Sequence, residues 1–147
     1  MYSLSFKTRF GWISAFEEKN RIVRIKFGKH NKISNTKNLK NLKYSINNFF
    51  NKKSKTIKGS FLIKGSKVQK KIWYELTKIK MGRTQSYGKI AKKYKLSPRH
   101  VGKICAQNEL PLVIPCHRVI RTDGGLGGFS APGGIKLKKK LLDFEHS

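Results

Sequence analysis

Residues 113–119 place a thiol directly beside an imidazole in the run Val-Ile-Pro-Cys-His-Arg-Val. A cysteine attacks an electrophile only as its thiolate, and a neighbouring base or cation makes the thiolate available near neutral pH. Cys116 has both kinds of neighbour, because His117 and Arg118 follow it. The alternative is a buried structural cysteine beside a chance histidine, since free cysteines often belong to the core. The run therefore predicts a cysteine nucleophile.

The second cysteine, Cys105, lies in a different setting. It follows Val101 and Ile104 on the apolar side of a predicted helix, so we expect it in the core. Two cysteines make neither a disulfide framework nor, by themselves, a zinc site. This cysteine usage indicates a reducing, intracellular setting and no metal site.

The chain is strongly basic. Its 147 residues include 34 Lys and Arg against 7 Asp and Glu, a net charge of +27. No acidic residue lies between Lys19 and Tyr74 or between Leu76 and Asn108, so the excess covers most of the chain. Such a field suits a polyanion, and DNA or RNA is the candidate. Genome base composition or adaptation to heat is the alternative source of the lysines.

The first third of the chain alternates like an antiparallel sheet. Apolar and polar residues alternate over 2–6, and branched or aromatic residues fill 10–16 and 22–27 around a turn at 17–20. After a start signal at 34–36, the period changes to that of an amphipathic helix. Its apolar stripe is Leu39, Leu42, Ile46, Phe49 and Phe50. The polar stretch 51–59 is expected to link two subdomains.

Short helices are predicted from residue 66 onward. Ser66 and Gln69 form a capping-box pattern, and this helix is expected to end at 81–82. Its predicted buried face is Val68, Ile72, Leu76 and Ile79. Ser86 is expected to cap a second helix, and Ser97-Pro98 to start a third. Two short helices joined by a tight turn make a helix-turn-helix.

A glycine-rich segment at 123–134 follows the Cys116 motif. Glycine lets the backbone approach a ligand or take positive φ, and a flexible surface loop is the alternative. A last amphipathic helix is predicted to bury Leu137, Leu141 and Phe144. No apolar stretch is long enough to cross a bilayer, and residues 1–9 hold no long apolar signal, so we expect a soluble, unexported protein.

Taken in order, these segments resemble the O6-alkylguanine-DNA alkyltransferases, or methylated-DNA-protein-cysteine methyltransferases. The matching motifs are Gly65-Ser-Lys-Val-Gln-Lys-Lys-Ile-Trp73, Ser86-Tyr-Gly-Lys-Ile-Ala91, Ser97-Pro-Arg-His-Val-Gly102, Asn108, Ile114-Pro-Cys-His-Arg-Val119 and Gly127-Gly-Phe-Ser130. The resemblance implies an α/β (α+β) fold with two domains. Residues 1–60 are expected to form a small ribonuclease-H-like antiparallel sheet with a helix. Residues 61–147 are expected to form a mainly helical alkyltransferase domain with a winged-helix-like helix-turn-helix.

The resemblance also implies an activity. It is DNA repair by direct transfer of an alkyl group from the O6 of guanine, and from O4-alkylthymine, to a protein cysteine, once per molecule. No cofactor takes part. The implied partner is double-stranded DNA containing O6-alkylguanine, bound by a monomer with no membrane attachment, in the cytoplasm if the source is prokaryotic.

Four residues take catalytic roles under this resemblance. Cys116 is the nucleophile, His117 draws the thiol proton through a bound water, and Glu145 orients and charges the imidazole, on the logic of a catalytic triad. Tyr87 donates to the N3 edge of the departing guanine. Without the resemblance, Glu145 is an ordinary exposed helix carboxylate and Tyr87 a packing residue.

Further residues are implied to hold the substrate base. The backbone N–H of Ser130 contacts O6, and the carbonyls of Cys116 and Val119 accept from the exocyclic amine. Asn108 is implied to tether a helix to the active-site turn. Phe129 stands where many relatives have tyrosine, so a hydroxyl contact is lost there.

The remaining residues are implied to bind DNA. A base inside a duplex cannot meet a buried thiol, so it must be flipped out. Arg99 is implied to fill the vacated stack, with phosphate binding as its alternative role. Gly102 lets the helix approach the sugar-phosphate backbone, and Ser97, Lys103 and Tyr87 complete the predicted DNA-binding set. The family presents this motif to the minor groove.

Two other functions fit parts of the sequence. A non-catalytic helix-turn-helix protein, acting as a regulator or alkylation-damage sensor, would need only the basic surface, but it would not need Cys116. A cysteine hydrolase usually brings its cysteine and histidine from distant segments, whereas here they are adjacent.

Overall fold

The chain folds as two units, Met1–Lys64 and Gly65–Ser147, in a computed structural model that describes all residues Met1–Ser147. The first unit is a three-stranded antiparallel sheet in the order β1-β2-β3. Its elements are β1 (Tyr2–Thr8), β2 (Gly11–Glu18), β3 (Arg21–Phe27) and α1 (Lys37–Phe50). Phe6 lies opposite Ile13 and Ile13 opposite Phe27, so these side chains share one face of the sheet.

Helix α1 packs its apolar stripe against the sheet. All five residues predicted for that stripe are buried, and Thr36 caps the helix by accepting from the Leu39 N–H. The predicted sheet and helix are therefore confirmed. The other face of the sheet is crossed by residues 28–34. Ser3, Ser5 and Ser14 donate from that face to the carbonyls of Lys32, His30 and Gly28.

The second unit is mainly helical. Its elements are α2 (Lys67–Thr77), β4 (Gln85–Ser86), α3 (Tyr87–Tyr94), α4 (Pro98–Ala106), β5 (Val119–Ile120) and α5 (Gly134–His146). Strands β4 and β5 form a short parallel pair. Helices α3 and α4 form the predicted helix-turn-helix. Between them, Lys95 takes a left-handed conformation (φ 57°), and the Leu96 N–H closes the end of α3 on the Ala91 carbonyl at 2.9 Å.

The prediction for α2 is partly wrong. The capping box of Ser66 and Gln69 is present, but the helix ends at Thr77 and not at 81–82. Val68, in the first turn of the helix, is 41% exposed, whereas Ile72, Trp73 and Leu76 are buried. Trp73 is buried there and donates its indole N–H to the Ile104 carbonyl at 3.0 Å. No helix of the chain combines the length and apolar character needed to span a membrane.

Candidate active site

The turn that carries Cys116 is built by the residues before it. Pro115 has φ −79° and ψ 64°, the values of an inverse γ-turn, and the Cys116 N–H donates to the Ile114 carbonyl at 2.7 Å. A single 3₁₀ turn then spans Cys116–Arg118 and leads into β5. With about three residues per turn, neighbouring side chains of a 3₁₀ turn point about a third of a circle apart. Cys116 and His117 are therefore adjacent in sequence without being directed at each other.

Cys116 lies at a cavity of about 800 Å³. The thiol residue is only 7% exposed, so the cavity is its route to a reactant. The lining comes from the start of α3, one side of α4 and the segment 121–130. Cys105 is buried, as predicted, and is also part of this lining. Both thiols are free.

Behind the thiol turn, Glu145 of α5 is held by two partners. Its Oε2 lies 2.7 Å from His117 Nε2 and accepts from Arg118 Nη2 at 2.9 Å, while Oε1 accepts from Arg118 Nε at 2.8 Å. Arg118 also donates from Nη1 to the Ile79 carbonyl at 2.7 Å. Burial raises the pKa of Glu145, but the hydrogen bonds from His117 and Arg118 outweigh it and bring the pKa to about 2. The carboxylate is therefore ionised at neutral pH.

This carboxylate fixes the state of the His117 ring. An ionised carboxylate can only accept, so His117 Nε2 carries the hydrogen. Burial lowers the pKa of His117 more than Glu145 raises it, so the ring is neutral near pH 7. Its Nδ1 is then a lone-pair acceptor. That nitrogen is buried and has no hydrogen-bond partner in the protein.

The thiol itself is not ionised in this environment. Burial raises the pKa of Cys116 above its ordinary value, although the Asn108 side chain and the positive charge of Lys138 act in the opposite direction. Cys116 is therefore a neutral thiol at pH 7. A base must remove its proton before it can attack.

Asn108 joins the end of α4 to the thiol turn. Its Nδ2 donates to the Ile114 carbonyl at 2.8 Å, and its Oδ1 accepts from the Leu110 N–H at 2.9 Å. The same side chain thus fixes the residue before Pro115 and the chain that leads to it. This is the position that a tether between the helix and the turn requires.

Lys138 was not among the residues predicted for the site. This lysine of α5 is fully buried, and its Nζ lies 2.7 Å from the Val119 carbonyl, 3.2 Å from the Gly128 carbonyl and 3.4 Å from the Tyr87 hydroxyl. Burial lowers its pKa. The available signal was its spacing, because residue 138 lies two helical turns before Glu145 and so on the same stripe of α5.

Tyr87 opens α3 and lines the cavity beside Cys116. Burial raises the pKa of its phenol to about 12, with the nearby thiols adding to the effect. A side chain at Gly127 would meet the Tyr87 ring at 3.0 Å, and Gly127 also has φ +74°. Glycine is therefore required there, because the segment passes directly against the tyrosine.

Only some of the other predicted substrate residues line the cavity. Ser130 and Phe129 line the cavity, whereas the fully buried Val119 does not. The Val119 carbonyl accepts from Lys138, and the Cys116 carbonyl accepts from the Val119 N–H. Both carbonyls predicted to hold the base thus already accept one hydrogen bond.

The predicted DNA-binding residues lie on or beside α4. Ser97 caps this helix by accepting from the His100 N–H at 3.0 Å. Arg99 and Lys103 are exposed and four residues apart, so they project from one side of the helix. Gly102 lies on the cavity side, where an added side chain would only touch Tyr87 at 3.9 Å. The chain contains no group of three or more His, Cys, Asp or Glu side chains that could hold a metal ion.

The fold and the site together define a helix-turn-helix domain with a cysteine at a cavity and a buried histidine–glutamate pair behind the cysteine turn. The family model described as 6-O-methylguanine DNA methyltransferase, DNA binding domain, matches residues 67–147. The chain therefore belongs to the 6-O-methylguanine DNA methyltransferase family.

Individual relatives agree with this assignment. A methylated-DNA--protein-cysteine methyltransferase of Sulfolobus acidocaldarius is 32% identical over 143 residues, 95% of this chain and 90% of that protein. Another, from Methanocaldococcus vulcanius, is 51% identical over 80 residues, which cover 54% of this chain but only 48% of the relative. The crystal structure of Mycobacterium tuberculosis OGT in complex with DNA has the same fold. The TM-score between the two structures is 0.85 at 23% sequence identity, and the match covers 99% of this chain and 93% of that one.

Proposed function

We propose that this protein repairs alkylated DNA by transferring the alkyl group from the O6 of guanine to Cys116 Sγ, once per molecule. One observation carries the proposal. A free thiol lies at the cavity, beside a buried His117 whose Nδ1 is unpartnered and whose Nε2 is paired with Glu145. The relatives' names supply the substrate class, methylated DNA, and the acceptor, a protein cysteine. The same site would take O4-alkylthymine as a second substrate.

In the proposed mechanism, His117 Nδ1 takes the thiol proton through a water molecule. The Nε2 hydrogen remains on Glu145, whose negative charge stabilises the imidazolium that forms. The thiolate then attacks the alkyl carbon, so that a sulfur–carbon bond forms as the carbon–O6 bond breaks. The electron pair of the broken bond leaves with guanine. The thioether product has no thiolate left, and the protein is consumed.

Tyr87 would assist the departing base. A lysine ammonium can only donate, so in the contact at 3.4 Å the Tyr87 oxygen accepts from Lys138. The phenol hydrogen then remains free to be donated to the N3 edge of guanine. A pKa of about 12 keeps that hydrogen in place at neutral pH. We assign Lys138 to positioning Tyr87, Val119 and Gly128, while its charge favours the Cys116 thiolate.

The backbone around the cavity would select guanine. The Ser130 N–H would donate to O6, and the carbonyls of Cys116 and Val119 would accept from the exocyclic amine. A carbonyl has two lone pairs, so each can accept the amine beside the donor that it already has. Asn108 would hold the thiol turn in position relative to α4. Phe129 would pack at the cavity wall without a hydroxyl contact.

Duplex DNA would bind along α4, which enters the minor groove while the substrate base flips into the cavity. Arg99 would fill the vacated stack, Lys103 and Ser97 would contact phosphates, and Gly102 would allow close approach of the backbone. We propose that residues 61–147 form this winged-helix-like domain and residues 1–60 a ribonuclease-H-like one. The protein would act as a monomer, in the cytoplasm if the source is prokaryotic.

The test is the mass of the intact protein after incubation with a duplex containing one O6-methylguanine. We expect one added methylene mass per molecule and no second turnover, with the modification mapped to Cys116. Cys116→Ser should abolish the mass shift but retain duplex binding, and Cys105→Ser, its matched control in the same cavity, should retain transfer. Repeated turnover, or transfer to Cys105, would overturn the proposal.

A further inference from the structure

We propose that the first unit, Met1–Lys64, carries its own contact surface for the phosphate backbone of duplex DNA, separate from α4. The unit contains 16 Lys and Arg against two Glu, a formal charge of +14. Neither glutamate is available to balance the lysines of α1 or of 51–60. Glu17 is buried and accepts from Thr36 and Asn38, and Glu18 lies 3.8 Å from Lys64.

The charge is organised around a groove of about 640 Å³ between α1 and residues 53–60. The two sides are joined where the Lys58 N–H donates to Ser45 Oγ at 2.7 Å. Lys53 and Lys58 line one side. Asn41, Tyr44 and Asn48 line the other, from the face of α1 opposite its buried stripe.

The chemistry of this lining matches a phosphate backbone. Phosphate oxygens in DNA complexes accept from Lys, Asn, Ser and Tyr side chains, and the groove presents all four types and no carboxylate. Tyr44 is 70% exposed, and Lys40 lies one helical turn before it. None of Lys40, Lys53 and Lys58 forms an ion pair within the protein. We call the three lysines with Asn41, Tyr44 and Asn48 the α1 groove.

A duplex fits better than an acidic protein. The α1 groove offers hydrogen-bond donors and charge but little apolar surface, since Tyr44 is the only large apolar side chain in it. Specific protein interfaces usually have an apolar centre, whereas DNA interfaces are more polar and much more positively charged. The inference rests on the proposed function to the extent that DNA is already the ligand of α4.

The experiment compares two triple variants of the full chain that remove equal charge. Lys40→Gln/Lys53→Gln/Lys58→Gln changes the α1 groove, and Lys7→Gln/Lys19→Gln/Lys26→Gln changes exposed sheet and turn lysines of the same unit. The affinity for a fluorescein-labelled, undamaged duplex is measured across a salt series by anisotropy. Transfer from free O6-methylguanine base is measured in parallel, because it needs Cys116 but no DNA contact.

Each lost phosphate contact lowers the log–log salt slope by about 0.9. We expect the groove triple to lose about two to three units of slope, the control triple to lose less than one, and both to keep the wild-type rate on the free base. A groove triple with the same slope as the control triple would overturn the inference. Failure of the wild type to take a methyl group from a duplex containing O6-methylguanine would refute the proposed function and leave the salt-slope test of the groove intact.

Discussion

Glu145→Gln should destabilise the second unit by an amount that depends on pH in a defined direction. The pKa of this carboxyl falls from an ordinary 4.5 to about 2 in the folded protein. At about 1.4 kcal/mol per pKa unit, this shift corresponds to about 3 kcal/mol of stability. The group is 1% exposed, so little of that value is screened by solvent. Loss of the counter-charge of the buried Arg118 is part of this same value, which agrees with the about 3–5 kcal/mol that breaking a buried ion pair typically costs.

The sign of the pH effect follows from the lowered pKa. A carboxyl whose folded pKa is depressed stabilises the protein fully above its unfolded pKa, and this stabilisation is lost as the pH falls toward the folded pKa. The gap in unfolding free energy between wild type and Glu145→Gln should therefore be about 3 kcal/mol at pH 7 and about 1 kcal/mol at pH 3. The gap narrows at low pH because the wild type loses stability as Glu145 is protonated, whereas the glutamine of the variant does not titrate.

Urea unfolding followed by tryptophan fluorescence measures the gap. The chain has two tryptophans, so a Trp12→Phe background leaves Trp73, which is buried in the second unit, as the reporter. Asp143→Asn is the matched control, because Asp143 lies two residues away on α5 in an exposed pair with Lys139. It should change stability by less than about 1 kcal/mol at either pH. A Glu145→Gln protein as stable as wild type at pH 7, or a gap that is equal at pH 7 and pH 3, would refute the reasoning.

Three further predictions concern transfer and DNA binding. His117→Ala should slow transfer at pH 7 by roughly 100-fold. Because burial raises the pKa of Cys116, the rate of this variant should keep rising with pH above the ordinary thiol pKa of about 8.5. A deficit that does not depend on pH would mean that His117 only holds the geometry of the site. Lys138→Met should slow transfer about tenfold and lower the free energy of unfolding in urea by about 1–3 kcal/mol, because the buried Val119 carbonyl loses its donor; a wild-type rate would remove Lys138 from the site. Arg99→Ala should leave the salt slope of duplex binding nearly unchanged but slow repair of a paired O6-methylguanine more than attack on the free base. Lys103→Gln should instead lower the salt slope by about 0.9. Equal losses of the Arg99→Ala rate on duplex and free base would mean that Arg99 has a phosphate-binding or structural role.

The sequence determined the elements, because their signals are local. Hydroxyl residues cap α1 through α4 at the positions that the pattern indicated, and the predicted stripe of α1 is entirely buried. Caps and periodic apolar residues act within one or two turns of the chain, so they can be predicted from the sequence without the fold. The end of α2 could not be predicted in this way. Periodicity continued to Ile79, but the chain leaves the helix after Thr77.

The candidate site was predictable only in its residue types. The adjacency of Cys116 and His117 indicates nucleophilic chemistry, and the family resemblance singles out Tyr87 and Glu145 among many similar residues. Tertiary structure alone decided that Arg118 shares the Glu145 carboxylate, that His117 Nδ1 is left as an unpartnered acceptor, and that Lys138 is buried beside Tyr87.

The physical reason is that these properties depend on groups far apart in the chain. The thiol pKa is set by burial and by a lysine 22 residues away, and the state of His117 by a carboxylate 28 residues away. The burial of the sheet serines also could not be predicted from the sequence. The alternation of Ser3, Ser5 and Ser14 with apolar residues is typical of a solvated sheet face. In the structure, Ser3 and Ser14 are buried under residues 28–34. A residue's type and spacing define what it can do, and its charge state and partners are fixed only when folding removes water from around it.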